Sequence, residues 1–533
     1  MELKRLIAEL SRPGAYPFAV KDVEVRQTHI SVVFLAGAWA YKIKKPVAFS
    51  FVDFSTLEKR RYYCERELLL NRRLAPQIYQ AVVPVAQTHT GLAFEQPGPV
   101  CEWAVKMVRL PEEATLEWRV QHSDLDLETL RRLAERIAKF HNEAERSPEI
   151  ARYARTEDLA RLSRENLEVG QQQVGRTITA SVWQRLQQLT EQWLEKLGPR
   201  FEERVARGVP CDTHGDLRLE HIYFFPDKPP PYDIAIIDCV EFNDSFRYAD
   251  PVADMAFVVM DLLYEGRPDW ARFFAESYFQ ASGDETGREL LRWFVSYRAA
   301  VRGKVRSLLA QEPEVPIESQ QRAWLEARRY WMLAWQVLES PDCRPVLVMV
   351  SGLPGVGKSR LAQALTQRFH AVWLRSDAIR KELAGLPAGS AAETSFGQGI
   401  YTPQWTERTY MEMLRRAESF LADGLRVVVD ATFAQEQHRQ QFLSLARHWA
   451  VPALLLLCQA DASVVRQRLA ERQGDVSDAT WSVYEEMAQR WELPGPSTQL
   501  YTRQLRTDRD FDTVFAEAVA LVERTLEESW LPA

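Results

Sequence analysis

Residues 32–36, 38–44, 79–85 and 101–109 are rich in apolar β-forming residues, which predicts strands. Between them, residues 55–73 carry helical spacing. From about residue 124 the pattern is mostly helical, with helices predicted over 125–145, 177–197, 251–264 and 319–338. Short β-rich pieces at 221–225 and 234–238 interrupt it. The segment ESPDCRP (339–345) is polar, holds two prolines and reads as a linker. Beyond it strands at 346–351, 371–374, 426–430 and 452–458 alternate with helices starting near residues 358, 377, 436 and 462. Such alternation builds a parallel sheet with helices on both faces. The chain thus reads as two domains, 1–340 and 341–533, the second an α/β domain.

Composition narrows the class. The 533 residues exceed one ordinary domain, and 46% hydrophobic with 26% charged residues is globular composition that excludes wholesale disorder. No apolar run approaches the roughly 20 residues that span a bilayer, and MELKRLIAELSR lacks a signal-peptide core. Six cysteines (Cys64, Cys101, Cys211, Cys239, Cys343, Cys458) are scattered without a CxxC pair, so reduced thiols are expected and no zinc site. The expectation is a soluble cytoplasmic protein with no membrane partner. A net charge of −7 argues against strong nonspecific nucleic-acid binding, while a local basic groove stays open.

The strand at 346–350 runs into Gly352, Leu353, Pro354, Gly355, Val356, Gly357, Lys358 and Ser359, a complete GxxxxGK[ST] loop. Its backbone N–H groups suit a β-phosphate, Lys358 the β- and γ-phosphates, and the Ser359 hydroxyl Mg²⁺. ATP and Mg²⁺ are therefore the expected cofactors. After the next strand, Asp377 opens a helix, with Arg380 one turn on. Asp377 can accept the proton of an acceptor hydroxyl, cap the helix, or both. Asp430 ends another buried strand, beside Mg²⁺ or the acceptor, and Arg466, Arg468 and Arg472 lead into a polar segment suited to a lid.

GLPGVGKS, SDAIR, VVVDATFAQEQHR and RQRLAER resemble the P-loop kinase group around phage polynucleotide 5′-kinases, zeta-type toxins and small-metabolite kinases, over about 345–505. The resemblance implies that Asp377 activates the hydroxyl and that Arg380 contacts substrate or phosphate. It makes Asp430 the carboxylate closing the site, Arg439 the arginine that follows it, and Arg472 the lid arginine.

The N-terminal half carries a second constellation, Thr213-His214-Gly215-Asp216 through Glu220, His221 and Ile222, followed by Ile236-Ile237-Asp238 and Glu241. Kinase-type phosphoryl transfer needs an aspartate near the acceptor hydroxyl, a metal ligand five residues on, and a further aspartate on the metal. Asp216 and Asp238 supply the carboxylates. Lys42 and Lys44 share one face of a predicted strand, and either can pair with ATP phosphates and with Glu67 of the following helix.

HGDLRLEH followed by IIDCVEF resembles the aminoglycoside phosphotransferase/choline kinase family over about 20–310. The resemblance implies an α+β, two-lobed, protein-kinase-like domain with Lys42, Glu67, Asp216 and Asp238 in the ATP and catalytic roles. One position departs from it: His221 stands where the family has asparagine, and imidazole is a poor Mg²⁺ ligand. Either Glu220 or Glu241 compensates, His221 itself serves the metal, or the lobe binds without turnover. Arg247, Asp250 and Asp254 read as helix braces, and His141 as a core histidine. Trp324, Trp331 and Trp335 suit a helix packed on a neighbour.

The combined reading is a bifunctional, ATP-dependent kinase that phosphorylates a hydroxyl of a small molecule or a nucleic-acid 5′ end. Two alternatives stand beside it: one active P-loop kinase governed by a pseudokinase lobe, or an ATP-dependent switch without an acceptor.

Overall fold

The computed structural model describes residues 3–49, 52–313, 315–387, 399–471 and 480–528. Six antiparallel strands form the first sheet: β1 (Val23–Gln27), β2 (Ser31–Ala36), β3 (Trp39–Lys44), β4 (Tyr79–Thr88), β5 (Gly91–Phe94) and β6 (Val100–Val108), in the order β1-β2-β3-β6-β4-β5. Val32, Phe34, Tyr41 and Ile43 fill one face together with Leu6 and Leu10 of an N-terminal helix. On the other face lies the helix Leu57–Asn71, started by Thr56, whose hydroxyl accepts from the Lys59 N–H. Its Cys64 meets Ala40 and Val105. That contact sets Lys42 and Lys44 of the central strand β3 beside Glu67 of the helix.

The sheet belongs to a compact unit of residues 1–161, 196–265 and 270–294. Its helical part is built around Pro251–Tyr264, every residue of which is buried. Two short antiparallel pairs, Ile222–Phe224 with Ile234–Ile236 and Cys211–Asp212 with Tyr248–Ala249, carry the loops that matter below.

The second unit comprises residues 162–195, 266–269 and 295–533. Its sheet contains β7 (Leu347–Ser351), β8 (Val372–Arg375), β9 (Val427–Asp430), β10 (Ala453–Gln459) and β11 (Thr502–Arg506), all parallel, in the order β8-β9-β7-β10-β11. Strand β7 is central, so the loop after it opens among the carboxyl ends of its neighbours, where ligands of such sheets bind.

These units do not coincide with a division at 340. Helix Ile317–Leu338 packs onto the parallel-sheet unit, with Trp331 wholly buried and Gln336 donating to the Trp449 carbonyl oxygen. The segment read as a linker is held as well: Glu339 takes a bidentate bond from Arg185, and the buried Arg344 donates to the Glu339 carbonyl. Among the described residues no helix is long and apolar enough to cross a membrane, and all six cysteines are free, Cys343 exposed and Cys101 partly so.

Candidate active sites

In the first unit the two lysines share Glu67 but differ in their second partner. Lys42 lies 2.9 Å from Oε1 of Glu67 and 2.6 Å from Oδ1 of Asp238. Lys44, wholly buried, donates to the other Glu67 oxygen and to Glu241. Burial opposes the Lys42 charge, but Asp238, Glu67 and Glu241 more than offset it and hold its value well above that of an ordinary lysine. Burial likewise works against a charged Glu67, yet the flanking Lys42 and Lys44 keep it below the usual range. At Glu241 burial prevails over Lys44 and raises the carboxyl.

Asp238 adopts a left-handed backbone, φ 64°, a strained conformation for a non-glycine residue. Two side chains hold it there. The Tyr79 hydroxyl accepts from the Asp238 N–H at 3.2 Å, and Asn71 Oδ1 accepts from the Cys239 N–H at 2.9 Å. Burial would raise the Asp238 carboxyl, but Lys42 and His221 hold it below the usual carboxylate range.

The loop bearing Asp216 is fastened from beneath. Buried Asp254 accepts the N–H groups of His214 (3.0 Å) and Gly215 (2.9 Å), and its Oδ2 lies 3.1 Å from His141 Nε2. Burial opposes its ionisation, yet the His141 bond and these partners bring the carboxyl down to about 2. The His214 Nδ1 accepts the Asp216 N–H, and its Nε2–H donates to the Ile237 carbonyl. Burial pushes His214 down to about 4, so it is neutral. His221 donates Nδ1–H to the Asp216 carbonyl at 2.9 Å, and its Nε2 lies 3.8 Å from Asp238 Oδ2 and 3.9 Å from Glu220 Oε1. Lys42, Glu67, Asp216, His221 and Asp238 thus form one cluster.

In the second unit, the phosphate loop turns through left-handed glycines. A Cβ on Gly352 (φ 139°) would sit 2.5 Å from the Cys458 carbonyl oxygen, so no other residue fits. Thr507 Oγ1 donates to the Val356 carbonyl at 2.6 Å, and Arg468 donates to the carbonyls of Val356 and Thr507. Gly357 precedes the first residue of helix Lys358–Phe369, and the Lys358 ammonium donates to the Leu353 carbonyl at 2.8 Å.

Asp430 ends β9 beside β7, in register with Val350. It is 2% exposed, bonds to the Ser359 hydroxyl, and its Oδ2 has no hydrogen-bond partner among the described residues. Burial raises its carboxyl against the pull of Lys358. Asp377 is the second residue of helix Ser376–Leu383, close enough to Asp430 to repel it. The capping position belongs to Arg375, which makes no side-chain cap bond. Arg380 is buried and donates to the Ile400 carbonyl and the Thr406 hydroxyl, with the Tyr401 ring 5.2 Å away.

Residues 56–294 match the model of the phosphotransferase enzyme family, and residues 347–494 match that of an AAA domain. Relatives described as uncharacterized proteins, from Mycobacterium bovis and Mycobacterium tuberculosis, are 31% identical over 469 residues, covering 88% of this chain and 90% of theirs. The chain belongs to their family. This chain joins a phosphotransferase domain to a P-loop kinase-like domain and is a phosphotransferase-type protein. Among solved structures, a gluconokinase from Sinorhizobium meliloti is 20% identical (34% of this chain, 94% of that one, TM-score 0.25). A sugar kinase from Janibacter is 15% identical (35% and 97%, TM-score 0.26).

Within this phosphotransferase–P-loop fusion, the expected residues fall into three groups. Lys42, Glu67, Asp216, His221 and Asp238 come together in one cluster, and Gly352 to Ser359 gather with Asp430, with Asp377 nearby. Arg439 is engaged elsewhere, wholly buried and donating to the Phe433 and Glu492 carbonyls. Arg466 is exposed over Trp481, and Arg472 lies outside the described residues. Sequence reasoning missed Asn71, Tyr79 and Thr507, which no motif marks. It read Asp254 as a brace, and Asp254 does brace, but what it braces is the backbone of the Asp216 loop.

Proposed function

We propose that the second unit is an ATP-dependent kinase transferring the γ-phosphoryl group to a hydroxyl of a small molecule or a nucleic-acid 5′ end, and that the first unit holds a second ATP site of protein-kinase type. One observation carries the reading: a buried Asp430 oxygen with no hydrogen-bond partner among the described residues, 3.9 Å from the Arg375 guanidinium, next to the Ser359 hydroxyl at the mouth of a complete phosphate loop. Those oxygens fit Mg²⁺, a hard cation that takes carboxylate, hydroxyl and water ligands. Bound with ATP, Mg²⁺ would neutralise charge on the phosphates.

The residues divide the work. The loop's N–H groups hold the β-phosphate, and Lys358 exchanges the Leu353 carbonyl for phosphate oxygens. Asp377 takes the proton of the acceptor hydroxyl, whose oxygen then bonds to the γ-phosphorus as the bond to the ADP oxygen breaks. Arg380, fixed by Thr406 and the Ile400 carbonyl, orients acceptor or phosphate. In the first unit Lys42 would meet ATP phosphates, Glu67 would orient Lys42, and Asp216 would face the acceptor.

A second reading, a first unit that binds ATP and governs the other without transferring phosphate, is favoured by the imidazole of His221 in place of an oxygen donor. Labelled-phosphate transfer by the full chain to sugars, aminoglycosides, nucleosides and 5′-hydroxyl oligonucleotides tests the proposal. Asp216→Asn and Asp377→Asn variants then assign any product to a unit. Absence of ATP turnover with every acceptor contradicts it.

A further inference from the structure

We propose that His221 is itself a metal ligand, through Nε2, and that it sets the first unit's preference toward a divalent first-row transition ion over Mg²⁺. The inference rests on the reading of that unit as an ATP site.

Four observations lead to it. The Nδ1–H donates to the Asp216 backbone carbonyl at 2.9 Å, which fixes the tautomer of the neutral ring and turns its Nε2 lone pair toward Asp238 and Glu220. A backbone carbonyl on the far nitrogen is the usual support of a metal-bound histidine. That Nε2 faces Asp238 Oδ2 at 3.8 Å, too long for a hydrogen bond. It is short enough for one ion to bridge, since two ligands at roughly 2.0–2.2 Å from a shared ion lie at most about 4.4 Å apart.

The two glutamates that might replace the histidine are both committed. Glu241 is buried against the Lys44 ammonium, and Glu220 is paired with the Arg218 guanidinium. Finally, no group of three or more His, Cys, Asp or Glu residues among the described ones is arranged to hold a metal alone. A site of two protein donors therefore fills only when nucleotide phosphates complete it, and an N,O pair ranks divalent ions differently from an all-oxygen pair. Affinity for N-donor sites rises along the first-row transition series, whereas Mg²⁺ favours oxygen.

The test uses Mn²⁺ and a non-hydrolysable ATP analogue on the full chain. Ser359 and Asp430 carry no imidazole, so nitrogen coupling to Mn²⁺ in pulsed electron paramagnetic resonance reports the first unit alone. The expected result is two Mn²⁺ per chain, one with an imidazole-nitrogen coupling that vanishes in His221→Asn. The same variant should lower the Mn²⁺-over-Mg²⁺ affinity ratio of that site by roughly tenfold or more. Two bound Mn²⁺ without nitrogen coupling overturn the ligand role and leave the ATP site standing. A single bound Mn²⁺ without nitrogen coupling overturns both, whereas a single one with the coupling upholds the ligand role. Should His221→Asn unfold, the wild-type coupling and His221→Gln, which also presents an oxygen, decide between the same outcomes.

Discussion

The Lys42 ammonium lies 2.6 Å from Oδ1 of Asp238, a residue 196 positions further along the chain. This contact joins the central strand of a β lobe to the loop after a short hairpin. Under the proposed reading, Lys42 is the cation that meets ATP phosphate and Asp238 the carboxylate that meets metal.

Lys44 should matter chiefly for stability and Lys42 chiefly for nucleotide. Removing Lys44 leaves Glu67 and Glu241 buried around a lost cation, which typically costs about 3–5 kcal/mol. Lys44→Met should therefore lower the denaturation midpoint sharply. Lys42→Met, at a side chain that solvent reaches, should lower it less and weaken ATP binding more. Equal stability losses in the two variants would contradict this division.

Acid should loosen the first unit in two stages. His214 titrates near 4 when folded, so between its unfolded value of about 6.5 and 4 only the unfolded chain takes the proton. Stability is then lost as pH falls through that window, on the order of 3 kcal/mol in total. Asp254, near 2 when folded, stabilises above the unfolded value of about 4, and that contribution fades as pH falls from 4 toward 2. Urea midpoints from pH 7 to pH 4 check the first stage. His214→Gln should flatten the slope in that window, and an unchanged slope would contradict the assignment.

The helix Ile317–Leu338 should behave as part of the parallel-sheet unit. A Cβ on Gly424 (φ 77°) would lie 2.5 Å from the Trp335 ring. Gly424→Ala thus combines a backbone conformation that alanine resists with overpacking, at a cost of about 1–3 kcal/mol. Denaturant unfolding of the full chain reads this directly, and an unchanged midpoint would show that the helix yields freely.

How far the sequence could be read depended on the kind of signal. The phosphate loop and the buried strands β7, β9 and β10 were plain, because a complete motif sits in continuous apolar runs. Strand β11, Thr-Arg-Gln-Leu-Arg, has one buried residue and lies at the sheet edge, so no apolar pattern announced it. The β1 strand, mostly exposed, was missed for the same reason. The meeting of Asp216 and Asp238 in one cluster was foreshadowed by HGD and the later IID, but which of Lys42 and Lys44 faces Asp238 was not legible from spacing. Both have the same period-two spacing, and only the docking of helix Leu57–Asn71 shows which one meets Asp238. The boundary at 340 came from two prolines and polar residues, whereas the packing of Trp331 and Gln336 is a long-range fact that composition cannot carry.

Asp377 should act on the acceptor rather than on its helix. General-base assistance contributes about 10²–10⁴-fold, so Asp377→Asn should cut acceptor phosphorylation within that range and leave ATP affinity nearly intact. The capping position lies at Arg375, and asparagine matches aspartate in size, so a purely structural role of Asp377 predicts a nearly silent substitution. Measuring ATP binding and phosphoryl transfer on one preparation separates the two, and retention of both activities would remove Asp377 from the chemistry.

The central claim is that the phosphate loop of the second unit dominates ATP turnover, and Lys358→Ala in the full chain tests it most directly. The loop backbone still binds phosphate in this variant, but the charge that meets the transferring group is gone. With γ-labelled ATP, turnover should fall by orders of magnitude while circular dichroism and the unfolding midpoint stay near those of the parent. A folded Lys358→Ala protein that hydrolyses or transfers at the parent rate would contradict the claim.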